Sequence, residues 1–176
     1  MRISLISIAM LVFMLFSASA TLAQTPQAPN PLDVVQENMP FNIPYGAPIS
    51  LETADAAIAA ALQEAKQRNW ALNIAVVDSG GNLVAFKRMD GAQLASIEIS
   101  EHKARAAVKF RRETKVFENA IQINNSHYLA TLDDVIASRG GIPLVVGGKL
   151  IGAIGCSGGS GAQDEVACKA GAALVK

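Results

Sequence analysis

The chain has 176 residues, 51% hydrophobic, 5% aromatic and 17% charged, with 15 basic against 15 acidic residues. Disorder needs few apolar residues and a large net charge, so this composition is that of a folded chain. Zero formal charge leaves no basic footprint for nucleic acid, and two cysteines make neither a disulfide framework nor an all-cysteine zinc site.

The N-terminus reads as an address. Arg2 is the only charge before Asp33; residues 3–16 are almost all apolar, and Ser17, Ala18, Ser19 and Ala20 follow. A positive start, an apolar run and a small-residue zone make a secretory signal peptide over residues 1–23, cleaved after Ala20 or Ala23. The run is short of the roughly 20 residues a spanning helix needs. The expectation is export to the periplasm or beyond, with no stable membrane anchor after cleavage; an uncleaved anchor is the alternative. Cleavage removes Arg2 and leaves 14 basic against 15 acidic residues. Residues 24–49 then hold six of the seven prolines. Proline lacks an amide donor and biases its predecessor to extended backbone, so this is an irregular arm. It lies along the domain, reaches a neighbouring subunit, or is a plain tether.

From Ser50 the pattern predicts a domain over residues 50–176. Ser50 suits an N-cap and Glu52 the first turn of a helix running to about Arg68, with Leu51, Ala54, Ile58, Leu62 and Ala65 on one face and Asn69 as the stop. ALNIAVVD and LVAFKRMD, joined by SGGN, predict an antiparallel hairpin, the first strand central. Residues 92–110 read as a helix. Thr114 is expected to cap a further helix to about Ile123, and a third short helix would hold Tyr128, Leu132 and Ile136. Residues 142–146 and 149–156 predict a second hairpin across Gly147 and Gly148, and an Ala-rich helix closes the chain from about Gln163. The fold class is α+β: an antiparallel sheet of two hairpins packed with helices. Cys156 and Cys168 sit in apolar settings and are read as small buried hydrophobes, although an oxidising compartment permits a bridge.

The chain has no phosphate loop, no HExxH and no CxxC. GCSGGSGAQDE links a strand to a helix N-terminus. Its amides, around Ser157, Gly158 and Gly159, suit an anion such as a carboxylate; Asp164 is read first as the helix cap and Glu165 as a first-turn acid. Arg88 and Asp90 end a strand, where Arg88 can grip a carboxylate or pair locally with Asp90. His102, Lys103 and Arg105 share one helix. His102 is the residue suited to ligating haem iron or moving protons near neutral pH, and His127 is read as a surface histidine.

PYGAPISL, AVVDSGGNLVAFKRMDGA, KARAAVKFRRETKVFE, GGIPLVV and IGAIGCSGGSGAQDEVACKAG, in this order, resemble the GlcG/HbpS family, whose domain is also attached to PduO-type corrinoid adenosyltransferases. The resemblance spans residues 44–175. It implies an α/β sandwich and assembly into dimers or larger rings. Exported members are similar to haem-binding proteins, some linked to haem degradation or redox sensing; others are of unknown activity or act on small organic acids. Matched motif positions are Asp78, Gly80 and Gly81; Arg88, Met89, Asp90 and Gly91; and Ser157, Gly158, Gly159, Gln163, Asp164 and Glu165. Relatives often carry Thr where Ala106 stands and Val where Cys156 stands. The missing hydroxyl leaves His102 as the iron ligand to expect. The first functional expectation is thus an exported, homo-oligomeric haem-binding protein, with Arg88, Lys103 or Arg105 pairing with propionates. The alternatives are a lyase or isomerase acting on a small organic acid, with His102 or Glu165 moving a proton, and a non-enzymatic sensor.

Overall fold

The computed structural model describes residue 30 and residues 33–35, 37–39 and 41–176. The expected signal peptide lies outside the described residues. The chain separates into a unit up to Asn38 and a unit from Met39 to Lys176. In the first, the Asp33 amide donates to the Asn30 carbonyl at 3.0 Å. All that follows concerns the second.

Helix α1 spans Leu51–Gln67. Ser50 Oγ accepts the Thr53 amide, and Glu52 faces the positive helix end, as the capping pattern predicts. Its Ala54, Ala57, Ile58, Ala61 and Ala65 are buried, whereas Leu51, expected on that face, is 59% exposed in the first turn. Asn69 ends the helix with φ +56°, a left-handed conformation that asparagine tolerates.

Strands β1 (Asn73–Asp78) and β2 (Leu83–Arg88) form the first hairpin. Asp78 Oδ1 fixes the turn by accepting the Gly80 and Asn82 amides. Helix α2 covers Ser96–Lys109. It starts later than expected, because Ala92 and Ser96 donate to Met89 and Gln93 in successive turns instead. Helix α3 is Lys115–Gln122. Thr114 precedes it but does not cap it: Thr114 Oγ1 accepts the Gly141 amide and so ties α3 to the sheet. The expected third helix is a short 3-10 turn, His127–Thr131. Strands β3 (Gly141–Val146) and β4 (Lys149–Ser157) close across Gly147 and Gly148, both with positive φ as a two-residue hairpin turn requires. Helix α4 is Gly161–Ala172.

The strands make one antiparallel sheet in the order β2-β1-β4-β3. Helices α1 and α4 pack on one face and α2 on the other. Ile74, Val76, Ile154 and Cys156 point to the α1/α4 layer, while Val77 and Ala153 meet Ala104, Ala107 and Val108 of α2. Alanine faces bring the layers close, which is how so few aromatics suffice. The approach is tightest at Gly155, where a Cβ would overlap the Ser100 carbonyl and the Ala104 amide of α2. Over its last residues the arm runs beside the start of β4, with one parallel bridge from Tyr45 to Leu150: Leu150 donates to Pro44, Gly46 to Leu150 and Ile49 to Ile151.

Cys156 and Cys168 are bridged, with Cα atoms 5.6 Å apart, which corrects the reading of two free thiols. Both face the β4–α4 interface and are fully buried. Apolar flanking sequence is equally compatible with a buried thiol and a buried bridge; the strand register decides.

Candidate functional site

The Gly-rich β4–α4 junction does not offer the open anion cradle that its sequence suggests. Ser160, not Asp164, caps α4: its Oγ accepts the Gln163 amide while Gln163 Oε1 accepts the Ser160 amide, a reciprocal capping box. Asp164 lies one turn in and is 2% exposed. Its Oδ1 accepts the Gly159 amide and its Oδ2 accepts Lys103 Nζ at 2.8 Å. The protein's own carboxylate is therefore the anion held there. Lys103, 1% exposed, donates also to the Cys156 carbonyl, so its ammonium is enclosed and not available to a propionate from solvent. Burial pushes the Asp164 carboxyl up, against the opposing pull of Lys103 and the Gly159 amide. Gly140 seals the pair, since a Cβ there would sit 2.8 Å from Asp164 Cβ. Glu165 is 7% exposed and receives Lys115, Arg139 and Lys169. Burial raises its carboxyl, but Lys169 and Lys115 outweigh it and hold it below the usual range. An acid so held is a poor proton donor near neutral pH.

His102 opens into a hollow of about 480 Å³ on the outer side of α2, lined also by Glu98, Arg105 and Asp134. Glu98, His102 and Arg105 are spaced by four and three residues and so share a helix stripe. The imidazole makes no hydrogen bond among the described residues. Arg105 rests on Glu101 at 3.2 Å, and Lys109 on Asp134 at 2.6 Å. Lys109 is the chief reason that the Asp134 carboxyl lies below its usual range, with His102 and Arg105 adding to it. The segment leading to Asp134 exposes Ile123 (70%), Tyr128 (63%) and Leu132 (42%). His127 is exposed on its 3-10 turn.

Arg88 and Asp90 stand apart from His102. They line a hollow of about 360 Å³ between α1 and the end of β2, with Leu62, Lys66, Lys87 and Met89. No Arg88–Asp90 ion pair forms, so the local-pair alternative is not realised. Arg88 lies across the sheet from Asn73, and Asn73 from Ser157. Asn73 Nδ2 donates to Gln93 O and ties down the loop after β2, while its Oδ1 has no partner. Sequence reasoning missed Lys66 as a neighbour of Arg88, whereas Lys87 and Met89 adjoin it in the chain. Lys66 lies 22 residues earlier in the chain, and only the α1/β2 packing joins the two.

A four-stranded antiparallel sheet, two helices on one face and a histidine-bearing helix on the other, define a small α/β/α sandwich with its polar hollows on its outer surfaces. The chain belongs to the HbpS-like family: residues 49–173 match the family described as "Haem degrading protein HbpS-like". Protein GlcG of Escherichia coli K12 is 43% identical over 109 residues, covering 62% of this chain and 81% of GlcG. Corrinoid adenosyltransferase PduO of Citrobacter freundii is 32% identical over 108 residues, 60% of this chain but only 32% of that protein. Among solved structures, a complex of PduOC with haem superposes with a TM-score of 0.68 at 28% identity, covering 74% of this chain and 96% of that one. A double mutant of HbpS from Streptomyces reticuli gives 0.66 at 28% identity, covering 88% and 99%.

Proposed function

We propose that this protein is an exported haem-binding protein that serves haem handling, with His102 as iron ligand and Arg105 as a propionate partner. The observation that carries the reading is an unpartnered imidazole beside a guanidinium at one open hollow. The donor set fits haem: a free nitrogen for iron, and a cation whose existing half-buried ion pair within one helix is cheap to exchange. The hollow's own lining is polar, so apolar contact to the porphyrin would come from the exposed Leu132, two residues before Asp134. When bound, haem supplies a redox-active iron; the chain's part is to orient it through His102 and to neutralise a propionate through Arg105. The likeness to the PduOC–haem complex and the family description support this reading. Haemin titration into the purified protein tests it. A saturable Soret shift is expected with wild type and a loss of at least tenfold in affinity with His102→Ala; equal binding by the two refutes the ligand assignment.

Export belongs to the same proposal. The buried Cys156–Cys168 bridge supports it, since such bonds persist in oxidising compartments. Among the described residues no helix is long and apolar enough to cross a membrane. Mass spectrometry of the periplasmic fraction should find a chain starting at Thr21 or Gln24; an intact start at Met1 refutes cleavage. Self-association, proposed from the exposed Ile123, Tyr128 and Leu132, is checked by sedimentation, where a strict monomer would exclude it. The alternative lyase or isomerase reading is less well supported, since neither of its candidate proton carriers, His102 or Glu165, lines the hollow that Arg88 lines.

A further inference from the structure

The groove between α1 and β2 combines features that its surroundings do not. It joins two adjoining hollows of about 360 Å³ each, which share Leu62 and Lys66. Along α1 the wall is Ala59, Leu62, Gln63, Lys66 and Gln67. These recur at helical spacing, one stripe rising about 12 Å. At the β2 end stand Lys87, Arg88, Met89 and Asp90.

Three cations thus line one hollow against one acid, in a chain whose formal charge is zero. Elsewhere the cations are mostly satisfied: Arg68, Lys103, Arg105, Lys109, Lys115, Arg139 and Lys169 all make ion pairs. Lys66, Lys87 and Arg88 make none among the described residues. The apolar floor is Leu62 and Met89, both packed against the buried core and only partly covered themselves. Asp90 repels a second negative charge at that end of the groove.

We propose that this groove binds a monoanionic amphiphile, a carboxylate with an apolar body of medium length. The carboxylate lies among Lys66, Lys87 and Arg88, and the body runs along Leu62, Ala59 and Met89. Unpaired cations supply charge and directed donors for the head. The partly exposed Leu62 and Met89 supply area for the body, and a groove of this size is ordinary for a small ligand. The site is separate from the His102 hollow: α1 and α2 lie on opposite faces of the sheet.

Calorimetric titration of the whole mature protein with decanoate, below its micellar concentration, tests this. Saturable binding at one site per chain is expected, weakening as salt rises. Decanol should bind at least tenfold more weakly. Each of Lys66→Gln, Lys87→Gln and Arg88→Gln should weaken decanoate by about two- to fivefold, as for exposed charge contacts, and the triple variant by at least about eightfold, the product of the three smallest losses. All three side chains are exposed, so the variants should keep the wild-type circular dichroism. His102→Ala should bind decanoate as wild type does, which separates this result from that of the haem titration. Equal binding of decanol, an unaffected triple variant, or no saturable binding each overturns the proposal.

Discussion

Removing one member of the Lys103–Asp164 pair should be among the most damaging single changes in the domain. The side chains are 1% and 3% exposed and meet at 2.8 Å. Asp164→Asn removes the charge that compensates the Lys103 ammonium, and leaves that ammonium buried against the Cys156 carbonyl. Breaking a buried pair in this way costs about 3–5 kcal/mol. A domain of this size has roughly 5–15 kcal/mol in total, and each kcal/mol shifts its melting point by about 2–4 °C. A fall of roughly 10 °C is therefore expected in thermal unfolding followed by circular dichroism under non-reducing conditions. Lys103→Met should cost a similar amount, since it strands the Asp164 carboxylate. The double variant Lys103→Met/Asp164→Leu should cost well under the sum of the two, because no uncompensated charge remains. Single variants that melt within about 2 °C of wild type, or strictly additive losses, would refute the reasoning.

Three further outcomes follow from the packing. Gly155→Ala should lose soluble expression or most of its stability, because the new methyl meets the backbone of α2, and chymotrypsin resistance in lysate reads this directly. Cys156→Ala/Cys168→Ala should lose about 2–4 kcal/mol in urea unfolding, the effect of opening a bridge with a sequence separation of 12; an unchanged midpoint would argue against the bridge. Acid should weaken the fold through Glu118. Burial raises its carboxyl, but Arg139 outweighs that and holds it below its usual range. A depressed folded value means stabilisation that is present above the unfolded pKa, about 4.3, and is lost as pH falls through the folded value. Glu118→Gln should therefore flatten the pH dependence of urea midpoints below about pH 4.5; an unchanged slope would count against the Glu118–Arg139 contact.

The element order was legible because hairpins and caps are local. ALNIAVVD-SGGN-LVAFKRMD, the Gly147–Gly148 turn and Ser50 act through neighbours within a few residues, and each stands where its pattern puts it. What was not legible depends on distance. Ser160 and Asp164, four apart, are both of residue types that cap helices, and only the fold shows that Ser160 is the cap and Asp164 turns inward to a lysine 61 residues earlier. Thr114 had the sequence of a cap but is taken by Gly141. The disulfide depended on β4 register against α4, which apolar flanks do not encode. Arg88 and His102, grouped by chemistry, lie in different hollows because α1 and α2 cover opposite faces.

The central claim, that His102 is the iron ligand, is tested most directly by chemical rescue of the haemin-loaded His102→Ala variant. Wild-type protein should show a histidine-ligated ferric spectrum, the variant should lose it, and added imidazole should restore it at the same Soret position. Identical spectra for wild type and variant, before any imidazole is added, would contradict the account.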